Sequence, residues 1–175
     1  MNSKNRLFRM VLAAMFLALA MVLPFLTGQI REIGNALCPM HIPVLLCGFF
    51  SGPWYALAVG FASPLLRFLI VGVPPILPRG LAMSFELAAY GFVSGTLYKA
   101  LPEKKSSVYL ALIGAMIAGR IVWGAVSVIL YGICNTSFGM KAFLAGAFLN
   151  SLPGIIIQIV LIPIIVMAIK KQPLK

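Results

Sequence analysis

The sequence predicts an all-α integral membrane protein with six transmembrane helices in one compact bundle, the second short or irregular. Three observations carry this reading. Hydrophobic residues make up 62% of the 175 positions and charged residues only 10%, where a soluble domain carries about 25% charged residues. Mean hydropathy is +1.06. The apolar residues fall into runs separated by short basic or Pro/Gly-rich breaks, and a spanning helix needs about 20 mostly apolar residues.

The first run covers residues 7–27. It follows Lys4, Arg6 and Arg9 like the apolar stretch of a signal peptide, but it is long for one and no cleavage pattern precedes a soluble domain. It reads as a retained first helix. After the polar stretch 28–35 comes a half-length segment, 40–50, punctuated by Pro39, Pro43, Gly52 and Pro53. Interrupted segments of this kind line protein or a cavity, because lipid cannot satisfy their freed backbone groups. The remaining spans are expected at 54–71, 80–101, 108–131 and 142–169. No linker interrupts the chain, so residues 1–175 are expected to form one domain.

Orientation follows from the Lys/Arg bias. With both termini in the cytoplasm, the inner set is Lys4, Arg6, Arg9, Lys99, Lys104, Lys105, Lys170, Lys171 and Lys175. The outer loops then hold only Arg31, Arg79 and Lys141. Nine against three favours a multi-pass cell-membrane protein with cytoplasmic termini. The net charge of +11 is explained by these topology signals, and nucleic-acid binding is not expected.

Arg67, Glu86 and Arg120 lie inside apolar runs. A charge at the bilayer centre costs at least ~2.5 kcal/mol on insertion scales, so it faces a partner, a cavity or a substrate path. At a rise of ~1.5 Å per residue, Arg67, Glu86, Arg120 and Asn150 fall about 6, 9, 16 and 12 Å below the expected outer ends of their helices. All four therefore converge on the outer half of the membrane. Arg120, Trp123 and Ser127 share one helix face by their spacing, with Trp123 offering a stacking plate. Two readings stand side by side. In one, Glu86 and Arg120 form a structural ion pair. In the other, Arg120, Glu86, Trp123, Asn150, Arg67, Arg79 and His41 build an outward-open, slightly cationic pocket for a small polar or anionic molecule. Arginine suits a carboxylate or phosphate because its fork donates two parallel hydrogen bonds. His41, between Pro39 and Pro43, is a substrate contact or a helix-start packing residue. Tyr90 and Tyr131 read as membrane-interface residues.

Ala13, Ala14, Ala18 and Ala20 give the first helix a small-residue surface, with Ala14 and Ala18 in an AxxxA motif. Such faces let another helix approach closely. The Gly48/Gly52 and Gly91/Gly95 pairs are of the same kind and are expected to serve internal packing. Catalysis is poorly served: one His, three acids and no nucleophile, zinc or P-loop motif. The chain is not expected to be an enzyme, to carry a cofactor or to hydrolyse ATP. Cys38-Pro-Met-His41 has the spacing of half a metal site, without a second half. A Cys38–Cys134 disulfide is compatible with the topology.

Six helices with an AxxxA first helix and polar residues under the outer loops resemble the substrate-binding S component of energy-coupling-factor (ECF) transporters. The stretches LCPMHIPVLLCGFFSG (37–52), GFASPLLR (60–67), PPILP (74–78) and FELAAYG (85–91) are similar to S components of the riboflavin and pantothenate groups, over essentially the whole chain. The resemblance implies a vitamin bound near the outer face and docking through helix one onto a T component with two ATPase subunits. It also implies that the S component topples in the membrane to release its substrate. Ala14 and Ala18 match the family's docking motif. The arginine excess favours an acidic vitamin, pantothenate first, then riboflavin or another vitamin. The competing classes are a small channel and an assembly subunit. A channel calls for a polar stripe through both faces, and here the inner halves are apolar apart from Gln158.

Overall fold

The computed structural model describes residues 3–26, 38–102, 104–133 and 152–170. Over these residues it contains α1 (Ser3–Leu26), α2 (His41–Phe50), α3 (Pro53–Val71), α4 (Leu81–Ala100), α5 (Lys105–Ile133) and α6 (Leu152–Lys170), with an irregular turn over Ile76–Gly80 between α3 and α4. No strand occurs among the described residues. The expected start of the sixth span, 142–151, lies outside them.

Among the described residues, four helices are long and apolar enough to cross a membrane: Lys4–Phe25, Pro53–Val71, Lys105–Ile133 and Leu152–Ile169. The other two are the inner elements. Residues 41–49 of α2 are all buried, so its shortness exposes no backbone to lipid. α4 has the length of a span but carries Ser84, Glu86, Tyr90 and Ser94 on its buried side. It packs against α2, α3 and α5. Ser84 and Ser94 donate to the backbone carbonyls of Gly80 and Gly91 at 3.0 and 3.1 Å.

Glycines allow this close packing. A Cβ on Gly91 would meet the Ala56 carbonyl oxygen at 2.5 Å, and one on Gly60 would strike the Leu87 backbone. A Cβ on Gly95 would sit 2.9 Å from the Gly48 carbonyl oxygen, and one on Gly48 would collide with the Ser94 hydroxyl. Gly48, Gly60, Gly91 and Gly95 therefore form one seam, where α2, α3 and α4 touch backbone to backbone. Without a hydrophobic drive between helices in lipid, such contact supplies the packing energy. Gly52 joins α2 to α3 at φ +101°, and Gly72 ends α3 at φ +77°, both in backbone regions open to glycine.

Along α1, Ala13, Phe16 and Ala20 are buried against the bundle, whereas Ala14 and Ala18 are exposed. The small-residue surface expected from the sequence is thus split. Ala13 and Ala20 serve the core, and the AxxxA pair faces outward. A helix turns 100° per residue, so neighbours such as Ala13 and Ala14 cannot share a face.

Candidate polar binding site

Four segments converge on one polar centre. α4 places Glu86 one and a half turns below its start, 3% exposed. α5 brings Arg120, whose Nη1 lies 3.0 Å from Glu86 Oε1. α2 opens with His41, whose Nε2 lies 3.7 Å from the same oxygen. The 38–40 turn carries Cys38, whose thiol hydrogen-bonds with Arg120. The acid, the guanidinium and the imidazole form one coupled set around a single carboxylate.

Tyr90 organises the set. It lies one helical turn beyond Glu86 on the same face of α4, is 1% exposed, and its hydroxyl interacts electrostatically with the Glu86 carboxylate. Its ring meets the His41 ring edge-on, with centroids 5.1 Å apart. On the other side it rests against Gly119, where an added Cβ would lie 3.1 Å from three ring carbons. The sequence reading placed Tyr90 at the membrane interface; the structure corrects this. The signal was available in the i, i+4 spacing from Glu86 and in a glycine next to Arg120 that makes room for a ring. Cys38 was also missed as a member of the centre, although it lies only three residues before His41.

Among the buried polar atoms without a hydrogen-bond partner are both ring nitrogens of His41 at this centre and, two turns beyond Arg120 on α5, the Ser127 hydroxyl oxygen. His41 is 3% exposed and Ser127 is fully buried. An unsatisfied buried polar group costs about 1–3 kcal/mol, and most buried polar groups in folded proteins are satisfied. Trp123 is half-buried on the same helix.

Of the other expected site residues, Arg67 and Arg79 are among the described residues and Asn150 is not. Arg67 is buried near the end of α3, and its guanidinium carbon lies 5.6 Å from the centre of the Phe25 ring of α1. Its Nη1 has no hydrogen-bond partner, and among the described residues no carboxylate pairs with it. Arg79 is exposed on the Ile76–Gly80 turn, and its charge acts on Cys38. Asn150 and Cys134 lie outside the described residues, as do the flanking segments 27–37 and 134–151. No group of three potential metal ligands converges among the described residues.

A charged pair, an imidazole with two open nitrogens and a hydroxyl can hold a small polar molecule by hydrogen bonds and charge. No curated protein and no solved structure matches the chain significantly. The family model of the ECF transporter substrate-specific component, however, matches residues 8–166. That match reaches into every described helix and covers the whole polar centre, so the chain belongs to the substrate-specific components of the ECF transporters.

Proposed function

We propose that this membrane-embedded substrate-binding subunit of an ECF importer takes its substrate at the centre formed by His41, Glu86, Tyr90 and Arg120, with Ser127 and Trp123 beside it. The observation that carries this is the set of buried, unbonded polar atoms on His41 and Ser127. A purely structural Glu86–Arg120 pair has no use for them, whereas a bound ligand would satisfy them. Arg79, Arg67 and Asn150 belong to the surroundings of the site in this reading.

The substrate is a vitamin or similar micronutrient. Pantothenate is slightly favoured, because its carboxylate suits an arginine fork and its amide and hydroxyl groups suit an imidazole and a serine. Riboflavin or another vitamin is the second choice. Mass spectrometry of small molecules that co-purify with the protein, followed by titration of the hit, tests the site and the substrate together. Recovery of only lipid and detergent, with no binding of any vitamin in titration, would defeat the reading.

The outward-facing Ala14 and Ala18 support docking onto a T component powered by two ATPase subunits. Ala14→Trp and Ala18→Trp are expected to leave binding by the isolated protein intact, since both positions are exposed, and to abolish uptake in cells holding the ATPase module. Uptake at the normal rate would remove these residues from the docking face. The termini are proposed to be cytoplasmic. Cysteines placed at Ser3 and Asn35 in a background without the native cysteines should label from opposite sides of the membrane.

A further inference from the structure

At the opposite end of α2 from His41 lies a cavity of about 340 Å³, lined by Arg9, Phe49, Phe50, Tyr98, Lys99 and Leu101. We infer that it is a binding site for the phosphate headgroup of an anionic glycerophospholipid. Its two cations come from different helices. Arg9 is half-buried just before the apolar run of α1, and Lys99 is exposed in the last turn of α4. The Lys99 ammonium leans over Gly52, where an added Cβ would lie 3.0 Å from Nζ. Gly52 also lines the cavity, so the missing side chain leaves the ammonium at its rim.

Charge complementarity selects an anion. The one acid among the described residues is Glu86, and it sits with Arg120 at the far end of α2. Nothing described offsets Arg9 and Lys99. Lys4, Arg6, Lys104 and Lys105, which are exposed, lie on the same ends of α1 and α5 and add to the local positive potential. A basic pocket between helices at the membrane surface is suited to an acidic headgroup.

Position selects a lipid. The cavity lies where the apolar spans of α1 and α3 begin. Trp54, two residues after Gly52, is 72% exposed and meets Phe92 edge-on at 5.2 Å. An exposed Trp at a helix end belongs at the headgroup level. The Phe49 ring packs edge-on to Tyr98 at 4.9 Å, giving an apolar wall for the glycerol and first acyl carbons beneath the phosphate. The inference is independent of the substrate and of which end faces the cytoplasm.

The test uses the full chain in a neutral detergent. Short-chain phosphatidylglycerol, short-chain phosphatidylcholine and inorganic phosphate are added separately, and bound lipid is read by native mass spectrometry and by the shift in thermal stability. Phosphatidylglycerol should bind in preference to phosphatidylcholine, with inorganic phosphate alone much weaker. Arg9→Gln/Lys99→Gln should weaken phosphatidylglycerol by roughly thirtyfold, from the two lost charges near the surface. Lys104→Gln/Lys105→Gln should change it little, and the charge-keeping Arg9→Lys/Lys99→Arg should retain the preference even where the neutral variant folds poorly. Equal losses in the two neutral double variants would show general surface charge and overturn the site. Inorganic phosphate binding as tightly as the lipid would assign the cavity to a soluble anion. Unchanged lipid binding, with assembly onto the coupling subunits lost in the Arg9/Lys99 variant, would assign it to a protein partner.

Discussion

Arg120 and Arg67 are two arginines in apolar helices with opposite solutions to the same problem. Arg120 is held by a carboxylate at 3.0 Å, with Cys38 and Tyr90 joined to the same network. Arg67 has an aromatic ring at 5.6 Å and leaves Nη1 without a hydrogen bond. The paired arginine ties three helices and a turn into one polar unit. The ring-covered one ties the end of α3 to the end of α1. A buried charge with a counter-charge is hard to remove alone, because its partner is left stranded. A cation over a ring strands nothing when it goes. The two sites should therefore respond differently to the same substitution.

The largest effect is expected for Arg120→Met. It leaves Glu86 buried without its counter-charge, and breaking a buried pair from one side costs about 3–5 kcal/mol. Thermal unfolding in detergent measures this. A melting temperature equal to the parent's would show that Glu86 is satisfied by His41 and Tyr90 alone. Adding Glu86→Gln should recover most of the stability, because the double variant strands no charge.

Affinity comes next. The stable Glu86→Gln/Arg120→Met protein should bind the identified substrate about ten- to a hundredfold more weakly, the loss of one charge-assisted hydrogen bond at about 1.5–3 kcal/mol. Parent-like affinity in a well-folded double variant would make the pair structural only. His41→Phe keeps the ring contact with Tyr90 and removes both nitrogens. It should lower affinity by a smaller factor, about tenfold for a neutral hydrogen bond, while leaving stability equal or higher.

The smallest effect is expected at Arg67. Its contact with Phe25 is worth about 0.5–2 kcal/mol, and its unbonded Nη1 offsets part of that. Arg67→Met should shift stability by less than about 1 kcal/mol in either direction. A loss as large as that of Arg120→Met would mean that the two arginines are not different in kind.

Much of the fold was legible because the bilayer constrains sequence so strongly. Five of the six helices begin and end close to where the apolar runs and their Pro/Gly breaks put them, and the short second helix announced itself through its prolines. α4 was legible as a helix but not as an inner element, since its buried side is polar and apolar periodicity points elsewhere. The Glu86–Arg120 meeting could be reached by counting residues from helix ends. The roles of Tyr90 and Cys38 could not, because both depend on how helices rotate about their axes. That rotation is set by the glycine seam, and Gly48, Gly60, Gly91 and Gly95 reveal only that something comes close, not which neighbour does. Arg67 shows the same limit: depth counted from the helix end gives no hint that its guanidinium lies over the Phe25 ring.

The ten-residue α2 has a consequence for how a cargo can leave. Its first residue touches the polar centre and its last two line the cavity at the other end. Between them Val44, Leu45 and Cys47 are fully buried, with the glycine seam pressing backbones together on one side. A molecule travelling down the inside would have to push this stopper aside and forfeit its close-packed contacts, which lipid tails cannot restore on a rigid, irregular surface. In the reading proposed above, the cheaper course leaves the plug in place and moves the whole subunit instead.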